Sequence, residues 1–100
     1  MQAAIDAIAH PGRRAMLRLV LDREMAVGEL AERVGLSQPA ASQHLKVLRD
    51  AGLVRGRMDG RRRLYRVDIE GLDRLRRALD AYWEPALAAL KGAVEAGDLP

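Results

Sequence analysis

Gln38, Ser42, Gln43 and Lys46 recur three and four residues apart, so a helix over this stretch would carry them on one face. Amide, hydroxyl and ammonium groups set out in this way can hydrogen-bond base edges and phosphates when such a helix lies in a DNA major groove. Ser37 stands just ahead of them as a natural helix cap. A second cluster follows closely, in which Arg57, Arg61, Arg62 and Arg63 crowd around the dipeptide Asp59-Gly60. Like charges at a turn are costly to hold together unless an anion shares the space, and a duplex offers closely spaced phosphates. Each cluster has a plainer explanation, a solvated helix face for the first and a charged edge strand that resists aggregation for the second. Adjacent in one segment, they point together to duplex binding.

The charge distribution agrees. Residues 37–67 hold eight basic side chains against two acids, Asp50 and Asp59, for a net +6, although the whole chain carries only +3. The basic character therefore belongs to the segment that contains both clusters.

The elements that must position these residues can be read from periodicity. A first helix over residues 3–9, with Ile5 and Ile8 at helical spacing, stops at His10-Pro11-Gly12, because a proline disfavours helix in the residue before it. A second helix runs from Pro11 to about residue 21 or 22. Met25 and Ala26 form a connection or a short strand, and a third helix covers Val27–Val34, closed by Gly35. Ser37 opens a fourth helix, Pro39 falls in its first turn and Gly52 ends it. Ala40, Ala41, Leu45 and Leu48 share its inner side, and Ala31, Ala40 and Ala41 are small enough to let the third and fourth helices pack closely. Two helices joined by Gly35-Leu36-Ser37 make a helix-turn-helix. Strands over residues 53–58 and 61–67 then flank Asp59-Gly60, which suits a type I′ hairpin turn. Asp68 caps a last helix over residues 71–96, which Pro85 should kink near Ala81 or split. Residues 97–100 should fray. The expectation is a mainly α fold with a small β-hairpin, a winged helix-turn-helix in the order α-α-α-α-β-β-α, forming one domain over residues 1–100.

Leu72, Leu75, Leu79, Tyr82, Ala86, Leu90 and Val94, widened by Trp83 and Leu87, give the last helix a longer apolar stripe than one side of so small a core needs. The stripe reads as a helix seam with a second copy of the chain, assisted by Ile5 and Ile8 of the first helix. The simpler alternative folds it back over its own core.

Other chemistry finds little support. The chain has no cysteine and two histidines, which removes disulfides and thiolate metal sites and leaves His10 and His44 without partners for a nitrogen-rich set. His44 falls beside Leu45 at the inner edge of the fourth helix, where packing and DNA contact both remain open, and His10 suits a capping role. No phosphate loop, metalloprotease motif or nucleophile elbow occurs. Ser37 and Ser42 lie too close to His44 along one helix to form a triad. The reading is therefore a non-enzyme without metal or cofactor. With no apolar run long enough for a membrane and no signal-peptide layout at the start, it is expected in the cytoplasm.

Three segments, HPGRRAML, VGELAERVGLSQPAASQHLKVLRDAGLV and RGRMDGRRRLYRVD, in this order and over about residues 5–70, closely resemble the bacterial arsenical-resistance-repressor (ArsR) family of winged-helix regulators. The resemblance implies a homodimer joined through its first and last helices that binds an operator, here an inverted repeat, and represses transcription. By position it implies a recognition helix at residues 38–51, with Gln38, Ser42, Gln43, His44 and Lys46 nearest the DNA and Arg61, Arg62 and Arg63 at the wing. The chain departs from the metal-sensing members. Its third helix reads ELAERVG without their cysteine pair, and its last helix has no histidine, so it is more similar to members with no obvious inducer site. Two other readings stand beside this one: a winged-helix module that docks a protein on Tyr82 and Trp83, and a repressor with a metal or unknown small effector at the dimer interface.

Overall fold

A computed structural model describes residues 1–97. Helix α1 (Gln2–Ile8) tucks Ala4 and Ala7 inward. Helix α2 (Pro11–Leu19) opens with Pro11 in its first turn, where a missing N–H is harmless, and His10 Nδ1 accepts from the Gly12 amide at 3.0 Å. The helix ends at Leu19, two or three residues before the expected stop. The cause is tertiary, because the Val20 carbonyl accepts from Val67 N across the fold at 2.9 Å.

Strand β1 (Met25–Ala26) leads directly into α3 (Val27–Val34). Gly35, at φ 72°, then takes the left-handed conformation that an L side chain resists, and Leu36 N reaches back to the Ala31 carbonyl at 2.9 Å. Helix α4 (Gln38–Asp50) starts from Ser37, whose hydroxyl accepts from Ala40 N at 3.2 Å. Its inner face buries Ala41, Leu45 and Leu48, so the α3–turn–α4 unit is seated by the same residues that fix its rotation.

Strands β2 (Val54–Asp59) and β3 (Arg62–Val67) pair antiparallel from Val54↔Val67 to Asp59↔Arg62. The turn is therefore Gly60-Arg61, one residue later than expected. Gly60 has φ 62° and Arg61 does not have a positive φ, which excludes type I′ and leaves the glycine-first pattern of type II′. Strand β1 pairs on the other edge of β3, giving the order β1-β3-β2. Met25, Tyr65, Val54 and Val67 join Met16, Val20, Leu30, Leu45, Leu48 and Leu53 in one core.

Helix α5 runs unbroken from Ile69 to Ala96. It starts two residues early because Asp68 accepts from Gly71 N at 3.1 Å as its cap. Pro85 does not divide it. The proline removes one backbone bond, to the Ala81 carbonyl, at a stretch where both residues are exposed and water can replace the donor. The first part of α5 does what the simpler alternative asked. Leu75 is only 3 % exposed, and Leu72 and Leu79 pack against the protomer's own core. Leu75 is thus a core residue, not a seam residue. Beyond it Tyr82, Trp83, Leu87, Leu90 and Val94 are open to solvent, and the long axis of the molecule reaches 61 Å. In α1, Ile5 is exposed and Ile8 half-buried. The expected fraying of the tail falls largely outside the described residues; Gly97 itself is an ordered left-handed cap.

Candidate nucleic-acid interface

The outer face of α4 presents Gln38, Ser42, Gln43, Lys46 and Arg49, all exposed, while Leu45 and Leu48 lock the opposite face into the core. Ser37 is spent in part on its capping bond, which leaves its hydroxyl at the start of the exposed row. The Gln38 amide oxygen lies over the first turn of α3, 3.6 Å from where a side chain at Gly28 would begin. Lys46 bonds Asp50 at 3.0 Å, one turn along. That pair is exposed at both ends, so it holds the ammonium only weakly, and the ammonium beside it keeps the Asp50 carboxyl below its ordinary range.

His44 is not brought into this row. It is half-buried, with its ring 4.5 Å from that of His10 across the α1–α2 junction. Burial, followed by the charges of His10 and Arg13, lowers its pKa, which favours the neutral imidazole. The position next to Leu45 already pointed inward, and the partner ring supplies the rest.

The wing separates its arginines into two kinds. Arg61, Arg62 and Arg63 are exposed and have no ion-pair partner among the described residues. Arg57 does not belong with them, contrary to the expectation of an unpaired cluster. Its guanidinium grips Glu24 through two bonds, 2.6 and 2.7 Å, and holds that carboxyl below its ordinary range. Arg55 is likewise taken by Asp68 at 3.1 Å. Both acids lie outside the segment whose charge looked so one-sided, and no local pattern pairs residues 33 positions apart. The free positive charge is therefore concentrated at the hairpin tip and its β3 side.

Among the described residues, no three His, Asp or Glu side chains converge as metal ligands, and no helix is long and apolar enough to cross a membrane. What the arrangement offers is a rigid helix with hydrogen-bonding groups along one edge, followed by a hairpin tipped with unpaired guanidinium groups. Those are the parts needed to read base edges and to hold phosphates.

The protein-family model described as bacterial regulatory protein, arsR family, matches residues 10–55, from the cap of α2 into β2. The HTH-type transcriptional regulator Rv2034 of Mycobacterium tuberculosis is 48% identical over 84 residues, which are 84% of this chain and 78% of that protein. Two further relatives are longer, and the match spans 52% and 45% of their lengths. Among solved structures, a possible transcriptional regulator for arsenical resistance superposes with a TM-score of 0.76 at 40% identity, covering 86% of this chain and 94% of the other. A homodimeric winged helix-turn-helix DNA-binding domain from Mycobacterium bovis, a possible ArsR-family regulator, superposes with a TM-score of 0.69 at 30% identity, covering 86% and 80%.

Proposed function

This chain belongs to the arsR family of bacterial regulatory proteins, and from that premise we propose that it acts as a homodimeric repressor on an inverted-repeat operator. It is a transcriptional regulator of the winged helix-turn-helix class. In this reading the whole chain is one domain without catalytic activity, working in the cytoplasm where its operator is. Gln38, Ser42, Gln43 and Lys46 meet base edges and flanking phosphates, and Arg61, Arg62 and Arg63 hold the backbone or enter the minor groove. The observation that carries it is the contrast within α4, whose inner leucines are fully buried while its outer hydrogen-bonding row stays open.

The dimer part rests on the distal half of α5. Trp83 is 53 % exposed, Leu87 56 % and Leu90 50 %, and one soluble helix seldom leaves so regular an apolar stripe uncovered. An apolar groove of about 530 Å³ between α1, α2 and α5, lined by Ile8, Leu17, Leu21, Leu72, Leu79 and Trp83, continues that stripe. A second copy laid along α5 covers both. The groove also gives the effector reading a physical place, as a chamber closed by the partner.

Selection of bound fragments from sheared genomic DNA, at near-physiological salt and read by sequencing, tests the proposal. An inverted repeat with half-sites about one helical turn apart is the expected product. Fragments with no shared sequence would reduce the reading to a basic surface, and protection of Trp83 by a different protein instead of by a second copy would favour the interaction module.

A further inference from the structure

The Glu24–Arg57 bond crosses the sheet. Glu24 immediately precedes β1, and continuing the register from Met25↔Tyr65 by one step sets it beside Arg66 on the central strand. Arg57 lies on β2, opposite Leu64. The bond thus passes over β3 from one edge of the sheet to the other, on the face turned away from the core. Leu64 marks that face. It is only 7 % exposed yet is not part of the core cluster, and it sits between Ala26 and Arg57 while its neighbour Tyr65 points to the core. Arg57, fixed at its head by Glu24, is the cross-strand neighbour of Leu64 on this outer face.

The geometry at the head is specific. Nε and one terminal nitrogen of Arg57 each meet a different oxygen of the Glu24 carboxylate. This is the two-pronged fork with which a guanidinium also grips a phosphate. An arginine so engaged is not free to neutralise DNA, whereas Arg61, Arg62 and Arg63 on the same hairpin are.

We propose that Glu24 is a positioning residue that sets binding specificity: its carboxylate stands in for a phosphate on Arg57 and withholds that cation from non-specific contact with the DNA backbone. The proposal rests on the duplex-binding reading above. Non-specific affinity comes from cations that displace counterions from phosphates, each contributing about 0.9 to the slope of log affinity against log salt. Keeping one cation occupied internally lowers that background without touching the base-reading row on α4.

The test measures binding of a labelled duplex of arbitrary sequence at salt concentrations from about 50 to 200 mM, for the wild type, Glu24→Gln, Arg57→Gln and the double variant. The glutamine keeps the shape and one acceptor, and thermal unfolding checks that each variant is folded. Glu24→Gln should steepen the slope by about 0.9 for each Arg57 released, about 1.8 for a homodimer, an additional loss of about tenfold in affinity over that range. Arg57→Gln alone should leave the wild-type slope almost unchanged and should abolish the steepening in the double variant. A slope unmoved by Glu24→Gln overturns the proposal. So does a steepening that persists without Arg57, since it would then reflect only the lost negative charge. Should Glu24→Gln not fold, Arg57→Gln decides alone: a slope lowered as far as Arg62→Gln lowers it would show that Arg57 already contacts phosphate. A wild-type chain that binds no duplex at low salt overturns the underlying reading together with this inference.

Discussion

Gly71, in the first turn of α5, has no room for a side chain. A Cβ built there would lie 2.8 Å from the carbonyl carbon of Gly52 and 1.7 Å from its oxygen, the latter more than an ångström inside the 3.0 Å that such contacts respect. Neither neighbour can swing aside, because both are main chain. The Gly52 end is held by Leu53 N on the Leu48 carbonyl at 2.9 Å, and the Gly71 end by Asp68 N on the Leu53 carbonyl at 2.8 Å. Gly71→Ala must therefore move backbone. Overpacking of this kind costs about 1–3 kcal/mol, and the rigid surroundings place it near 3. For a domain of this size each kcal/mol shifts Tm by about 4–8 °C, so a fall of about 12 °C or more is expected by calorimetry at fixed protein concentration. Gly92→Ala is the matched control. It lies on the same helix with nothing within 4 Å of its would-be Cβ, on the side away from Leu90 and Val94, and should gain about 1 kcal/mol as alanine replaces glycine in a helix. A Gly71→Ala protein melting within about 2 °C of the wild type would refute the close seating of α5 on the end of α4.

Replacing Gln43 and Lys46 together by alanine should cost operator affinity, about 1–3 kcal/mol for a bidentate pairing with a base, with helix content by circular dichroism unchanged. Equal affinity would remove α4 from recognition. Changing residues 61–63 to glutamine should flatten the salt dependence by about 0.9 for each phosphate no longer neutralised, and an unchanged slope would place the wing off the backbone. His44 has a folded pKa below its ordinary 6.5, so below 6.5 the unfolded chain binds the extra proton first. Its contribution is complete above 6.5 and is lost as pH falls through the window beneath that value. Melting curves from neutral to mildly acid pH should show this loss in the wild type and less of it in His44→Gln. Leu87→Asp should yield a monomer by sedimentation, with folded secondary structure; a persisting dimer would move the seam away from distal α5.

The helices of the α3–turn–α4 unit were legible because their signals are local. Ser37 at the cap, Pro39 in the first turn and the glycines at 35 and 52 bracket α4 to within a residue of its observed ends. The hairpin was legible as a hairpin, but its register depends on Val54 meeting Val67 in the core, and that tertiary choice moved the turn to Gly60-Arg61. The end of α2 was not legible for the same reason, since the bond from Val67 to Val20 is invisible in a linear pattern. At the candidate site, the exposed row on α4 followed from periodicity, whereas the occupation of Arg57 by Glu24 and the contact of His44 with His10 join distant positions through side chains. Leu75 shows the limit of a stripe: period alone does not say where one helix stops covering its own core and starts offering a face to something else.

The unbroken course of α5 through Pro85 makes it a lever. Its 28 residues span about 42 Å, and its base rests backbone to backbone on the loop that closes α4. A tilt of about 10° at that base swings the far end by about 7 Å. In the proposed dimer the gearing runs both ways: a small change in how two such levers cross, far from any base pair, would reset the distance and phase between the two α4 helices. Leu87 and Leu90 at that crossing would then tune half-site spacing, and anything that wedged the crossing would act on DNA binding from a distance.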